Sequence, residues 1–216
     1  MTPHPALQSR PAELVQLFGS WNGKVPPEGC WVEEKLDGFR AAWINGQFVT
    51  RDGVSIEGAG HIVHALHLLE RAYGEPAFFD GEWQVGGTLA ATQAHFARRG
   101  RGGDAGTLHL FDAMPLSEWK ADACTEILAV RKRRLVEAFT AMQADPLAWE
   151  WAPGSRGRTP KEPALAIVPD RWLATAADVW QLARETWARG GEGLVLKDAE
   201  SLYQRRRAST WWKVKL

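Results

Sequence analysis

Glu33-Glu34-Lys35-Leu36-Asp37-Gly38-Phe39-Arg40 is the stretch that decides how the rest of this 216-residue chain is read. An alternating, strand-like run begins at Trp31-Val32-Glu33-Glu34 and delivers the amine of Lys35 to its end. Asp37-Gly38 then makes a sharp turn, which puts that amine at the mouth of a sheet and turns Arg40 towards the same pocket. A protonated lysine is a poor nucleophile, and it is activated by desolvation or by neighbouring cations. Taken alone, the octapeptide is also what a charged strand edge followed by a turn looks like, so its meaning rests on the surrounding chain.

Immediately downstream, alternation resumes over 39–44. Asn45-Gly46 is the strongest short hairpin signal, and 47–51 is the return strand. Upstream, residues 1–30 are rich in Pro and Gly around one amphipathic stretch, 12–18, which predicts a short helix in a lead-in segment of the same domain. Residues 61–72 carry Ile62, Val63, Leu66 and Leu69 at helical spacing and stop at Gly74. The runs 77–80 and 82–85 read as two strands about a tight Gly81. A helix is predicted over 88–98, a Gly/Arg-rich loop over 98–106, a strand over 107–113, a long helix over 125–142 and a loop over 152–163. A strand at 165–168 precedes a helix capped by Thr175, with Asp178 three residues on, that runs to Arg189 and stops at Gly190-Gly191. Strands at 193–197 and 211–215 follow. Strands in adjacent runs with helices interspersed irregularly predict an α+β fold of mainly antiparallel sheets flanked by helices.

Composition narrows the function classes. At 45% hydrophobic and 24% charged residues, the chain is an ordinary globule of a length that suits one domain. No apolar run approaches the roughly 20 residues of a spanning helix, and the N-terminus shows no secretory pattern. With only Cys30 and Cys124 as thiols, a cytoplasmic protein is expected. The 26 basic and 26 acidic side chains cancel, so any nucleic-acid contact has to come from local patches. Three patches qualify. Residues 98–103 form a basic loop, Arg131-Lys132-Arg133-Arg134 reads as a solvated helix face, and Arg205-Arg206-Arg207 is expected to meet nucleic-acid phosphates. His61, His64 and His67 read as a plain helix face, Cys30 as a buried thiol, and most of the twelve tryptophans as core.

Five further segments follow the octapeptide in order: Thr50-Arg51-Asp52-Gly53, Asp80-Gly81-Glu82, Leu110-Phe111-Asp112, Glu192-Gly193-Leu194-Val195-Leu196-Lys197 and Trp212-Lys213-Val214-Lys215. The ordered set resembles the nucleotidyltransferase motifs of the ATP-dependent DNA ligases, a superfamily shared with RNA ligases and mRNA capping enzymes. The resemblance implies the nucleotidyltransferase fold (ATP-grasp-like ligase adenylation) over residues 31–216. It implies that Lys35 attacks the α-phosphate of ATP to give lysyl-AMP, which then serves to seal nicked double-stranded DNA. On the same footing, Glu33 helps select adenine, Asp37 and Gly38 form the motif's turn, and Arg40 holds the ribose. Arg51 meets the phosphate at the nick, Phe111 stacks on the base, and Lys213 and Lys215 bind the α-phosphate. Glu82 lies near ribose and metal with Asp80 as a weaker companion, Glu192 is the metal-associated glutamate, and Lys197 closes the nucleotide pocket.

Simple chemistry agrees with these implied roles. Phosphoryl transfer needs positioning and charge neutralisation, and Lys213 and Lys215 alternate onto one face of a strand. Carboxylates with phosphate oxygens suit Mg²⁺. Arg205 and Arg206 join Arg51 as candidate nucleic-acid contacts. The given sequence ends one residue after Lys215, so no OB-fold domain is expected, and a separate protein partner is one way to supply its function. Without cations on the β- and γ-phosphates, reaction with ATP should be slower than sealing of an already adenylated nick. The rival expectations are an RNA ligase or capping-type nucleotidyltransferase, and a nicked-DNA-binding subunit that needs a partner for activity.

Overall fold

The structure is a computed structural model that describes residues 14–145 and 163–215. The predicted 152–163 loop therefore lies, but for Pro163, outside the described residues, as do residues 12–13 of the predicted lead-in helix.

Two five-stranded sheets carry the fold. In the first, the order is β1 (Leu17–Ser20), β10 (Arg207–Lys215), β9 (Gly193–Lys197), β2 (Cys30–Glu34) and β8 (Asp170–Leu173). In the second it is β4 (Gln47–Thr50), β3 (Phe39–Ile44), β5 (Ala77–Gln84), β6 (Thr107–Pro115) and β7 (Leu165–Ile167). All neighbours are antiparallel except β1 with β10 and β6 with β7. The expected α+β class of mainly antiparallel sheets flanked by helices holds.

Local chemistry accounts for much of this. Asn45 (φ 51°) and Gly46 (φ 78°) supply the two left-handed residues that a two-residue hairpin between β3 and β4 demands. Helix α1 (Gly60–Tyr73) ends at Gly74 in the left-handed conformation. Helix α2 (Leu89–Ala97) is capped by Thr88. The last helix, α5 (Ala176–Ala188), starts at Thr175, whose hydroxyl oxygen accepts from the Asp178 amide at 3.1 Å.

Three apolar clusters set the layers. Helices α1 and α4 (Leu128–Ala144) cover one face of the second sheet through Ile62, Leu66, Leu135 and Ala138 against Trp43, Phe79 and Trp83. Between the sheets lie Ala42, Ile44, Phe78, Phe111, Tyr203 and Trp211. On the far side of the first sheet, α5 packs Val179 and Ala183 on Val32, Leu194, Leu196 and Val214. The fully buried Cys30 belongs to that layer, and burial raises its thiol to about 11.

Four expectations are corrected. Residues 14–18 are not helical: Leu17–Ser20 is an edge strand, with Leu17 N donating to Arg206 O at 3.0 Å and Trp21 N to Lys213 O at 3.1 Å. The edge of β10 offers these groups a tertiary partner, while Gly19 would weaken a helix. Gly81 is not a turn, because β5 runs unbroken with a register shift at Asp80/Gly81. A Cβ on Gly81 would lie 2.7 Å from His109 O, so glycine serves close strand approach. The long helix begins at Leu128, not at 125, since Thr125 is tied back to Glu118 of the unforeseen helix α3 (Leu116–Ala121). The fourth correction concerns Arg131-Lys132, which is buried and not solvated.

Candidate active site

The period of two in a strand builds the site. In β2, β9 and β10, Val32, Leu194, Leu196 and Val214 face α5. The intervening Glu33, Val195, Lys197, Lys213 and Lys215 therefore turn towards the second sheet. From β3 and β5 the same alternation, with Ala42, Ile44 and Phe78 facing inwards, presents Arg40, Asp80 and Glu82 to the first sheet. The two sheets diverge at this end around a cleft of about 590 Å³ that Lys35, Gly38, Arg40, Arg51, Glu82, Lys213 and Lys215 help to line.

Lys35 follows β2 directly, and its amide donates to Gly193 O at 2.9 Å. Its Nζ lies 2.6 Å from Glu192 Oε2, while Lys215 Nζ pairs with Glu192 Oε1. Glu192 is thus shared by two ammoniums. Partial burial pushes its carboxyl up, but hydrogen bonds from Lys215 and Lys35 hold it below the usual glutamate value. Gly193 permits the arrangement, because a Cβ there would sit 2.0 Å from Val214 O.

The turn after Lys35 is fixed from three sides. Asp37 accepts through Oδ2 from Leu89 N at the start of α2 (3.2 Å), and its carbonyl accepts from Gln84 Nε2 (3.1 Å). Gly38 N donates to Glu82 Oε1 at 3.1 Å. A Cβ on Gly38 would meet Trp83 O at 2.4 Å, which explains a glycine in a turn pressed against β5. Burial raises the carboxyl of Glu82 to about 7, against the pull of Arg40 and Lys35. Such a desolvated carboxylate gains from a cation beside it.

Arg40 is nearly buried and grips Asp80 with two hydrogen bonds of 2.6 Å, one from Nε and one from a terminal nitrogen. Tyr203 OH donates to the same Asp80 at 2.5 Å and accepts from Gln16 N at 2.9 Å. Burial lowers the guanidinium's proton affinity, but Asp80 more than restores it, so Arg40 stays charged. Aromatic rings flank it, Phe111 at 4.6 Å and Phe18 at 5.1 Å from the guanidinium carbon. This corrects the expectation that Asp80 is a metal ligand: its fully buried carboxylate is engaged by Arg40 and Tyr203, so it positions Arg40.

Glu33, 3% exposed, has a lysine on each oxygen. Lys132 of α4 lies 2.5 Å from Oε1 and Lys197 of β9 lies 2.7 Å from Oε2. Burial favours the neutral acid, yet Lys197 and Lys132 together hold Glu33 ionised. Burial brings Lys197 down to about 8 despite Glu33. The Lys197 ammonium stands 4.2 Å from the centre of the Phe111 ring. These groups, with Phe18, Lys35 and Val195, wall a recess of about 30 Å³ that adjoins the cleft. A planar base enters it only if side chains such as Phe18 move.

At the outer rim, Arg51 is well exposed, with Nε 3.6 Å from Asp52, and its amide donates to Arg40 O. Together with Lys213 and Arg207 it borders a second cavity of about 270 Å³. Arg205 and Arg206 do not join it. Arg205 lies over the Trp119 ring at 4.3 Å and donates to Trp119 O at 3.1 Å, and the exposed Arg206 bonds Gln204 at 2.9 Å. Of the three consecutive arginines, the strand places Arg207 at the rim. Among the described residues no three His, Cys, Asp or Glu side chains gather into a metal-holding group. Glu82 and Glu192 border the cleft as hard oxygen donors and suit a divalent ion that also binds phosphate oxygens.

Several residues of the site escaped the sequence reading. Phe18 was assigned to a helix. Tyr203 and Gln16, 187 positions apart, had no local signal. Arg131 did carry one: Leu128, Arg131, Leu135, Ala138 and Met142 recur at i, i+3, i+7, i+10 and i+14, so the arginine stands on the buried stripe of α4. There it makes two 2.8 Å bonds to Asp112, next to Phe111.

Residues 14–215 match the family model described as the ATP dependent DNA ligase domain. Among solved structures the chain is similar to one described as Pmar-Lig_Pre, with TM-score 0.74 and 19% identity over 94% of this chain and 46% of that one. It is similar to the ATP-dependent DNA ligase of bacteriophage T7 in complex with ATP (TM-score 0.65, 18% identity, 87% of this chain, 62% of that one). It is also similar to Chlorella virus DNA ligase-adenylate (TM-score 0.66, 18% identity, 93% and 66%). At these identities the likeness is one of fold, and the chain spans 46% to 66% of the length of the three. No curated protein sequence gives a significant match.

Proposed function

The chain belongs to the ATP-dependent DNA ligase domain family, and from that premise we propose that it is the nucleotidyltransferase domain of an enzyme that seals nicked DNA through a lysyl-AMP intermediate. The observation that carries the reading is Lys35, on the floor of the cleft between the sheets, in one ion-pair cluster with Glu192 and Lys215.

In this reading Lys35 Nζ, released from Glu192, attacks the α-phosphate of ATP. The new P–N bond replaces the bond to pyrophosphate, and the amine loses its proton. Lys213 and Lys215 neutralise the α-phosphate oxygens as charge builds up. Arg40, held rigid by Asp80 and Tyr203, binds the ribose, and Phe111 and Glu33 bind the base. Glu82 and Glu192 hold a Mg²⁺ ion, which when bound offsets phosphate charge. A 5′-phosphate at the nick, drawn in by Arg51, then takes the AMP, and attack by the neighbouring 3′-hydroxyl on that phosphate expels AMP and joins the strand. Among the described residues no helix is long and apolar enough to cross a membrane.

The test is incubation with α-labelled ATP and Mg²⁺. Wild type is expected to acquire a covalent AMP that Lys35→Ala does not. A nick supplied already adenylated tests the last step alone. A second polypeptide that organises the β- and γ-phosphates would speed the first step and leave that last one unchanged. No adduct, together with no sealing of the adenylated nick, refutes the proposal.

A further inference from the structure

The helix run read from sequence as a solvated basic face sends Lys132 into the interior, where it ends against Glu33 and Asp170. Lys132 comes from α4, Glu33 from β2, Asp170 from the edge strand β8 and Lys197 from β9, so four elements meet in one cluster of two ammoniums and two carboxylates. Glu33 and Lys197 border the recess beside Phe111, whereas Lys132 lies behind Glu33 and is not part of its wall.

From this placement we infer that Lys132 is a positioning residue for nucleobase choice, holding Glu33 as an ionised, fixed acceptor at the wall of the recess. The inference rests on the nucleotidyltransferase reading of the cleft. An ionised carboxylate only accepts hydrogen bonds, so a base edge meeting Glu33 has to bring a donor, as the 6-amino group of adenine does and the 6-oxo group of hypoxanthine does not.

Lys197 alone does not secure that state. Burial lowers its own proton affinity, and it stands against the Phe111 ring and near Asp112. The charged groups that bear on Glu33 are therefore Lys197 from β9, Lys132 from α4 and, through Lys132, Asp170 from β8; Asp112 of β6 acts on Lys197. With Lys132 removed, a carboxyl this deeply buried takes up a proton and turns a donor to the recess. A 6-oxo purine then becomes acceptable. Asp170 matters because it anchors the ammonium from the solvent side.

The experiment compares lysyl-nucleotide formation from ATP and from ITP in single turnovers with Mg²⁺, read by intact mass, for wild type, K132M, K132R and D170N. Wild type is expected to prefer ATP. K132M should lose at least tenfold of that preference, mainly through a higher KM for ATP, while K132R retains most of it. D170N, which leaves Lys132 in place, should lose about threefold, and it carries the test if K132M fails to fold. A K132M protein that discriminates as wild type does, at whatever absolute rate, overturns the inference, as does an unchanged D170N ratio where K132M cannot be purified. A wild type that reacts with both nucleotides alike also overturns it. Reaction with neither nucleotide refutes the functional reading and the inference together.

Discussion

Replacing Arg131 by leucine separates a buried arginine from a solvated one by magnitude alone. Arg131 and Asp112 are both fully buried and joined by two 2.8 Å hydrogen bonds. The remaining guanidinium nitrogen donates to Glu126 O at 2.7 Å and Ser201 O at 3.0 Å. Leucine fills much of the volume but leaves a carboxylate with no counter-charge, and breaking one side of a buried pair costs about 3–5 kcal/mol. In a chain of this size each kcal/mol shifts Tm by about 2–4 °C, so a fall of about 6–20 °C is expected. Arg133, two residues along, is the internal control: it is 67% exposed and only 3.9 Å from Glu137, so Arg133→Leu should change stability by less than about 0.5 kcal/mol. Joining Asp112→Leu to Arg131→Leu removes the stranded charge and should recover at least half of the loss. Circular dichroism melts and urea titrations of the four proteins decide the matter. If Arg131→Leu melts within about 2 °C of Arg133→Leu, the buried pair does not exist in solution and the register of α4 is wrong.

Glu82 gives a pH signature. Its folded carboxyl sits near 7 because of burial, above the model value of 4.5, so the folded state binds more protons than the unfolded one between those values. Its contribution is therefore full below about 4.5 and lost as pH rises through 7. Glu82→Gln should be more stable than wild type at pH 8, with the gain vanishing towards pH 4.5, in denaturant titrations across that range. Gly38→Ala would drive a methyl to 2.4 Å from Trp83 O; the turn has to leave β5, and AMP-adduct formation should fall at least tenfold, as read by label incorporation. Arg51 and Arg207 at the rim should each reduce the salt slope of nicked-DNA binding by about one when changed to alanine, measured by fluorescence anisotropy. Arg205→Ala, whose side chain lies on Trp119, should leave that slope unchanged.

What the chain determined locally is clear in its strands and turns. Alternation placed β2, β3 and β9 to within a residue, Asn45-Gly46 closed its hairpin, and Gly74 and Thr175 marked the ends of α1 and α5. Each of these is a contest between neighbours in sequence, decided by backbone sterics or by which face of an element is apolar. The ordered motifs likewise announced Lys35, Glu192 and Lys215 before any distance was known. Charge was where sequence alone stopped. Whether an arginine or lysine is solvated depends on whether a carboxylate waits for it in the interior, and that partner lies far along the chain: Glu33 is 99 positions from Lys132, and Asp80 is 123 from Tyr203. Only the stacking of two sheets and one helix brought those pairs together. The same packing freed Gly81 from being a turn, and it turned Asp80 from a candidate metal ligand into the anchor of Arg40.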